Sequence, residues 1–318
     1  MIPIVCCFDI NMLLPAQVCF FSLFANAQQG VCYDVFVVYR KNELSSQEKI
    51  SFELLLQNYP SHRISFIGIA DFFQDAYEVR NITVACYYRL LIPSMMEQIN
   101  AIHHTEYRKV IYLDVDTIVE CDLSKLYEVE FLENEWIAGV CETPLYNNSD
   151  TSYHEIIGCD PNTYINSGLL VMDTEKMNEV GFYGQCVAHH DKKYICQDQD
   201  IINIVCKGHI RLLPLKYNFT TILYRLSLEN MPFKEKKRTE IDDAAESVVH
   251  YTGEKPWHSY CLRDYVWWFY FMKSPYADQT TYMQHYSKIR SLFIDTASSK
   301  ILFSELLHRI DTKLKKRE

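Results

Sequence analysis

The chain opens on an apolar run of strand length, Ile4–Phe8, which stops at the polar turn Asp9-Ile10-Asn11. Apolar residues then recur at helical spacing over Pro15–Ala25, and a strand rich in Val and aromatics follows at Tyr33–Tyr39. Ser46–Gln57 reads as a helix and Ile64–Ile69 as a third strand. Strands alternating with helices in this way predict a parallel sheet covered on both faces, a Rossmann-like α/β half. Tyr87–Met96 carries helical spacing around Arg89, with Pro93 marking a kink or the helix end. A fourth strand, Lys109–Leu113, runs directly into Asp114-Val115-Asp116. Beyond it, Trp136–Cys141 and Gly168–Asp173 read as strands, Asp198–Cys206 as a helix, and the heavily charged Phe233–Glu246 as a solvated excursion. Past Pro275 the pattern changes: Phe303, Leu306, Leu307, Ile310 and Leu314 make a helical apolar stripe, flanked by Arg309, Lys313, Lys315, Lys316 and Arg317. No repeat and no low-complexity linker divides the chain. The pattern predicts one catalytic domain over 1–272 and a helical, basic tail over 273–318.

Composition restricts the class of protein without naming its work. With 48% apolar and 23% charged residues in 318, the chain has the make-up of a folded protein able to bury a full core. A net charge of −10 argues against nucleic acid as the main partner, because phosphate backbones need a basic surface. The 12 cysteines are scattered, mostly inside apolar segments, and no C-x-x-C pair occurs. They read as small buried hydrophobes in a reducing cytoplasm. The N-terminal run has no basic flank and is interrupted by Asp9, unlike a signal peptide. No stretch reaches the ~18 apolar residues of a spanning helix. The expected location is cytoplasmic, at most peripheral on the inner face of the cytoplasmic membrane.

Four segments carry chemistry. Asp114 and Asp116 stand one residue apart at the C-terminal end of an apolar strand, where ligands bind in open α/β sheets. Residues i and i+2 of a strand face the same way, so both carboxylates can converge on one Mg²⁺ or Mn²⁺, which in turn grips a diphosphate. A D-x-D also arises on ordinary solvated turns. The second segment is His250-Tyr-Thr-Gly253-Glu-Lys255-Pro-Trp257. An imidazole at a strand end can be a third ligand, favouring Mn²⁺ over Mg²⁺. Gly253 permits close backbone approach to a phosphate and Lys255 supplies a point charge, but a surface turn would look the same. The third, Tyr164-Ile-Asn166-Ser167-Gly168, reads either as a small-residue turn around a polar ligand or as a plain β-turn. The fourth, Gln197-Asp198-Gln199-Asp200, is either a helix first turn or a polar group aimed at sugar hydroxyls.

In this order the segments resemble glycosyltransferase family 8, most of all its bacterial lipopolysaccharide galactosyl- and glucosyltransferases, over roughly residues 1–260. The resemblance implies a GT-A fold, a Rossmann-like mixed sheet flanked by helices. It also implies a UDP-sugar donor (UDP-glucose or UDP-galactose), a divalent metal, usually Mn²⁺, and retention of anomeric configuration. By motif it makes Asp114, Asp116 and His250 the metal ligands. Gly253 and Lys255 would contact the diphosphate, and Cys7, Asp9 and Asn11 would hold uracil and ribose. Arg89, Val115, Asn166 and Ser167 would join the donor site. Asp198 would bind sugar hydroxyls and Gln199 would lie nearest the anomeric carbon, making these two the catalytic candidates. The acceptor implied is an oligosaccharide or a lipid-linked saccharide, with the basic tail touching the membrane. His250 to Lys255 spans one residue fewer than in some bacterial relatives.

A metal and a lysine make UDP a good leaving group without a protonating acid, and the transition state is oxocarbenium-like. An amide oxygen is a poor nucleophile, which favours front-face transfer over double displacement through Gln199, with a covalent role for Asp198 as the alternative. Two other readings stand beside this one. A haloacid-dehalogenase-type phosphatase also begins with D-x-D, but it wants Thr or Val where this chain has Ile118, and its late acidic pair would fall on Asp242-Asp243. A non-catalytic nucleotide-sugar binding protein would keep the same pocket.

Overall fold

The computed structural model describes residues 1–70, 72, 84–142, 152–224, 246–292, 303, 304 and 306. Its strands are β1 (Ile2–Cys7), β2 (Tyr33–Arg40), β3 (Arg63–Ile69), β4 (Lys109–Leu113), β5 (Thr117–Val119), β6 (Ile137–Cys141), β7 (Ile165–Asp173), β8 (Ile210–Leu212), β9 (Phe219–Thr220) and β10 (Val248–His250). The helices are α1 (Leu13–Ala25), α2 (Ser46–Ile50), α3 (Glu53–Asn58), α4 (Ile92–His103), α5 (Ser124–Tyr127), α6 (Ser152–Ile156), α7 (Thr174–Glu179), α8 (Phe182–Val187), α9 (Gln197–Val205), α10 (Asp264–Lys273) and α11 (Gln279–Leu292).

Seven strands form one sheet in the order β3-β2-β1-β4-β7-β6-β8. β3, β2, β1 and β4 run parallel, and β7 runs antiparallel to both β4 and β6, so the sheet is mixed. Period-2 alternation divides each central strand between two apolar layers. Ile4, Cys6, Ile111 and Leu113 pack with α1 on one face, while Val5, Cys7, Val110 and Tyr112 pack with α4 and α9 on the other. Each such side chain, fully buried, contributes about 1.5–3 kcal/mol. The order reverses between β1 and β4, and the crevice there, at the strands' C-terminal ends, is the ligand position of a doubly wound sheet. A second sheet, β5-β10-β9, stands beside this crevice and brings His250 to it.

Three elements differ from the sequence expectation. The helix expected over Ser46–Gln57 is two, because Phe52 turns into the core between Phe20 and Phe66, with ring centroids 5.5 Å from each. Ser51 seals the break by donating to Glu48 O at 2.5 Å and accepting from Gln17. Pro93 starts a helix rather than ending one. A 3₁₀ helix over Val84–Leu91 carries Arg89, and α4 begins at Ile92, where proline's missing N–H costs nothing. Asn166, Ser167 and Gly168 lie inside β7 and not in a turn before it.

All twelve cysteines are free, and no described helix is long and apolar enough to cross a membrane. α11 is fastened to α10 by His285, which stacks on Trp268 at 4.1 Å and lies 3.1 Å from Asp264 Oδ2. Of the apolar stripe, Phe303 and Leu306 are exposed. The rest of that stripe and its basic flank lie outside the described residues, as does the charged excursion Phe233–Glu246, Asp242-Asp243 included, up to its last residue.

Candidate active site

The ladder between β4 and β7 runs one residue past β4, with Asp114 N–H donating to Gly168 O at 2.8 Å. The chain then bends. Thr117 Oγ1 donates to Asp114 O at 2.7 Å, and β5 departs to pair with β10. The two carboxylates therefore converge because of a corner between two sheets, not because of i, i+2 placement on one strand. Tyr251 N–H donates to Asp116 O at 3.0 Å, which sets His250 opposite the corner. His250 Nε2 lies 3.4 Å from Asp116 Oδ1 and 3.9 Å from Asp114 Oδ2. One ligand atom from each residue falls within 4.8 Å of the others. Donors cis to one another on a divalent ion, ~2.1 Å from it, sit ~3 Å apart, so a small contraction closes the cluster. Two hard oxygens and one imidazole suit Mn²⁺ or Mg²⁺.

Gly168 makes the approach possible. A Cβ there would lie 2.2 Å from His250 Cε1, 2.7 Å from Nδ1 and 3.0 Å from Asp114 Oδ2. The glycine of the N-S-G segment is thus a matter of space.

Arg89 is the electrostatic centre. Its side chain is 6% exposed, and it lies over the Tyr112 ring at 4.4 Å. NH2 donates to Asp114 Oδ1 at 2.9 Å, Nε lies 3.0 Å from Asp198 Oδ2, and NH1 donates to Ser167 O and Oγ at 2.7 and 3.0 Å. One buried cation is thereby shared between two carboxylates. Burial pushes the Asp198 carboxyl above its usual range, against the opposing pull of Arg89 and the Cys86 and Ser167 side chains. Asp116 goes the other way: burial would raise it, but Lys255 and His250 outweigh burial and hold it well below the usual carboxylate range. Lys255 Nζ sits 2.5 Å from both Asp116 Oδ2 and the carbonyl of Tyr251.

Asp198 and Gln199 lie in the first turn of α9, whose first residue, Gln197, sits in the left-handed region at φ 44°. Such strain costs about 1–3 kcal/mol and persists where the surroundings over-determine it. The Gln199 amide is held at three points. Oε1 accepts from Ser167 N–H at 3.0 Å, while Nε2 donates to Glu142 Oε2 at 2.8 Å and Tyr164 Oη at 3.1 Å. The Tyr164 hydroxyl in turn donates to buried Asp200 at 2.5 Å, which Tyr153 also reaches at 2.6 Å.

The structure therefore brings together Arg89, Asp114, Asp116, Asn166, Ser167, Asp198, Gln199, His250 and Lys255. Val115 lies between the carboxylates, 3% exposed. Cys7 ends β1 on the same crevice, its thiol pushed up by burial, and Asp9 caps the next turn by accepting from Asn11 N–H at 2.9 Å. Gly253 is exposed at φ 95°, a conformation that favours glycine. Glu142 and Asn218 went unmarked in the sequence. Neither belongs to a local motif, and their partners lie 57 and 32 residues away.

The model of glycosyl transferase family 8 matches residues 3–261. A putative glycosyltransferase of Haemophilus influenzae is 26% identical over 227 residues, covering 69% of this chain and 63% of that protein's length. A lipopolysaccharide 1,3-galactosyltransferase of Salmonella typhimurium is 25% identical over 260 residues, 79% of this chain and 72% of that one. The galactosyltransferase LgtC, solved with donor and acceptor sugar analogs, superposes with a TM-score of 0.68 at 20% identity, covering 88% of this chain and 98% of its own. This likeness establishes the GT-A fold.

Proposed function

The chain belongs to glycosyltransferase family 8, and on that premise we propose that it moves a hexose, glucose or galactose, from a UDP-sugar to a saccharide acceptor with retention of configuration. The observation that carries this reading is the Asp114–Asp116–His250 cluster at the mouth of the β1–β4 crevice, with Arg89, Asp198 and Gln199 on its inner side. Those three ligands fit a divalent ion, proposed as Mn²⁺ with Mg²⁺ the lesser choice. When bound it supplies positive charge to the diphosphate leaving group.

The chain's own residues do the rest. Lys255 leaves Asp116 to take a share of the diphosphate charge, beside the open backbone at Gly253. Cys7, Asp9 and Asn11 line the nucleoside end, and Arg89, Val115, Asn166 and Ser167 hold the middle of the donor. Asp198 receives sugar hydroxyls while its charge is tempered by Arg89. A carboxylate bonded to a guanidinium is a weak nucleophile, and the Gln199 carbonyl is already accepting from Ser167 N–H. Both facts favour front-face transfer, with the departing phosphate oxygen taking the acceptor proton. By likeness to the Salmonella galactosyltransferase, the acceptor is proposed to be a lipopolysaccharide or another surface glycan, built in the cytoplasm. The family match lends nothing to the phosphatase or binding-protein readings.

The test is a panel of UDP-sugars scored for Mn²⁺-dependent hydrolysis, with p-nitrophenyl phosphate alongside. One UDP-hexose should be cleaved, EDTA should stop it, and Asp116→Asn should abolish it. Asp116 is the target because Asp114 also holds the buried Arg89 and Tyr112, whereas Lys255, the ion-pair partner of Asp116, is only partly buried. Full activity in EDTA, or cleavage of the phosphate ester alone, refutes the reading.

A further inference from the structure

Asn218 closes the 3₁₀ turn Leu215–Asn218 before β9 and is fully buried. Its amide is engaged at both ends, 2.8 Å from Asn166 Oδ1 and 2.9 Å from His250 Nδ1. An amide can be turned over without changing its shape, so chemistry has to decide which atom faces which partner. The backbone N–H of Gly168 decides it. That group only donates, and it meets the Asn166 side chain at 2.9 Å, so the Asn166 atom there is the carbonyl oxygen. The same oxygen faces Asn218, whose near atom must then be its NH₂. The other Asn218 atom is an oxygen, an acceptor, and the imidazole nitrogen opposite it must carry the hydrogen. Nδ1 of His250 is therefore protonated. In the neutral ring the lone pair is then on Nε2, the atom that faces Asp114 and Asp116.

We infer that Asn218 is a positioning residue of the metal site: with Asn166 it relays the Gly168 N–H to His250 and locks the ring in the tautomer that offers Nε2 to a divalent cation. This rests on the proposed reading of Asp114, Asp116 and His250 as ligands. Asn166, Asn218 and His250 are 6%, 0% and 4% exposed, so water does not compete for these bonds. The relay also fixes the ring plane, since Asn218 grips His250 from one side while Gly168 leaves no slack beneath it. Partners of this kind, behind a metal-binding histidine, set its tautomer and are worth about 10–100-fold in metal affinity.

The experiment uses metal-free full-length protein labelled with ¹⁵N-histidine, carried into alkaline buffer until the ring nitrogens report a single hydrogen. Long-range ¹H–¹⁵N correlations, assigned by the signal lost in His250→Ala, should report hydrogen on Nδ1. Asn218→Leu should lose that signature and weaken Mn²⁺ binding ~10–100-fold, followed through the electron paramagnetic resonance signal of free Mn²⁺. Asn218→Asp keeps the acceptor that faces Nδ1 but loses the donor to Asn166, so it should keep the tautomer while melting at a lower temperature than the wild type. A neutral wild-type ring with its hydrogen on Nε2 and none on Nδ1 overturns the inference without any variant. So does a folded Asn218→Leu protein with unchanged Mn²⁺ affinity, or an Asn218→Asp protein that loses the tautomer. His250→Ala separates the two layers. If it binds Mn²⁺ as tightly as the wild type, the metal reading fails; if it binds weakly while Asn218→Leu does not, only the relay fails.

Discussion

Replacing Gly168 by alanine puts one methyl group into the packing of the metal site itself. The new Cβ would stand 2.2 Å from His250 Cε1, whereas ordinary contact begins at 3.4 Å. The ring must retreat by about 1.2 Å, the difference of those two distances. Neither side has room to give. The Gly168 backbone is bonded through N–H to Asn166 and through O to Asp114, and the His250 ring is bonded to Asn218. Metal–ligand distances tolerate deviations of about 0.2 Å, so the displacement is several times what coordination allows. The predicted result is a loss of Mn²⁺ affinity of ~100-fold or more. Overpacking adds about 1–3 kcal/mol of destabilisation, or roughly 1.5–4.5 °C in Tm for a chain of this size. Paramagnetic resonance titration of Mn²⁺ and thermal melting read the two effects separately. Gly139→Ala is the control: the nearest atoms to its Cβ would be those of Ile165 and Leu170, at 2.7 to 3.2 Å, so it should lower Tm and leave Mn²⁺ affinity alone. A Gly168→Ala protein that melts with the wild type and binds Mn²⁺ equally well would refute the reasoning.

Gln199→Ala should slow turnover ~10²-fold, as for loss of one polar group beside developing charge, and intact mass after incubation with donor alone should show no glycosyl adduct. A stable adduct on Asp198 would establish double displacement instead. Lys255→Met should raise Mn²⁺ affinity in the absence of nucleotide, because the ion no longer displaces an ammonium from Asp116, and it should weaken UDP binding; unchanged affinity for both would count against the Lys255 role. The same variant has a defined pH dependence. Asp116 has a folded-state pKa below its unfolded value of about 4, so the Lys255 pair contributes fully at neutral pH and is lost as pH falls through the folded-state value. The stability gap, about 1.5–3 kcal/mol at neutral pH, should close only in strong acid, as denaturant titrations across pH would show. A chain ended near Lys300 should stay folded, keep donor hydrolysis and lose binding to anionic liposomes; aggregation would mean that the stripe belongs to the core.

What the sequence disclosed was what neighbouring residues disclose. Lys109–Leu113 is a strand by its own apolar run, and Asp114 follows it directly, so the position of the first carboxylate could be read without the fold. The reason for convergence could not. It depends on β5 leaving the main sheet at Asp116 to pair with β10, a contact between residues more than a hundred positions apart. Asn166-Ser167-Gly168 looked like a turn because small polar residues favour turns, whereas pairing with β4 and β6 draws them into β7. Pro93 was ambiguous locally, since proline both ends helices and begins them, and only the preceding 3₁₀ helix decides between the two. Asn218 and Glu142 had no local signal at all. Glu142 owes its place in the site to one long-range hydrogen bond, to Gln199, and Asn218 to two, to Asn166 and His250.

The most direct test of the account is an anomalous-scattering experiment on crystals grown with Mn²⁺ and UDP. The predicted map has one manganese peak within bonding distance of Asp114, Asp116 and His250 Nε2, with the diphosphate on its open side and Lys255 turned from Asp116 to a phosphate oxygen. A peak elsewhere, or UDP bound with no metal while Lys255 stays on Asp116, would contradict it.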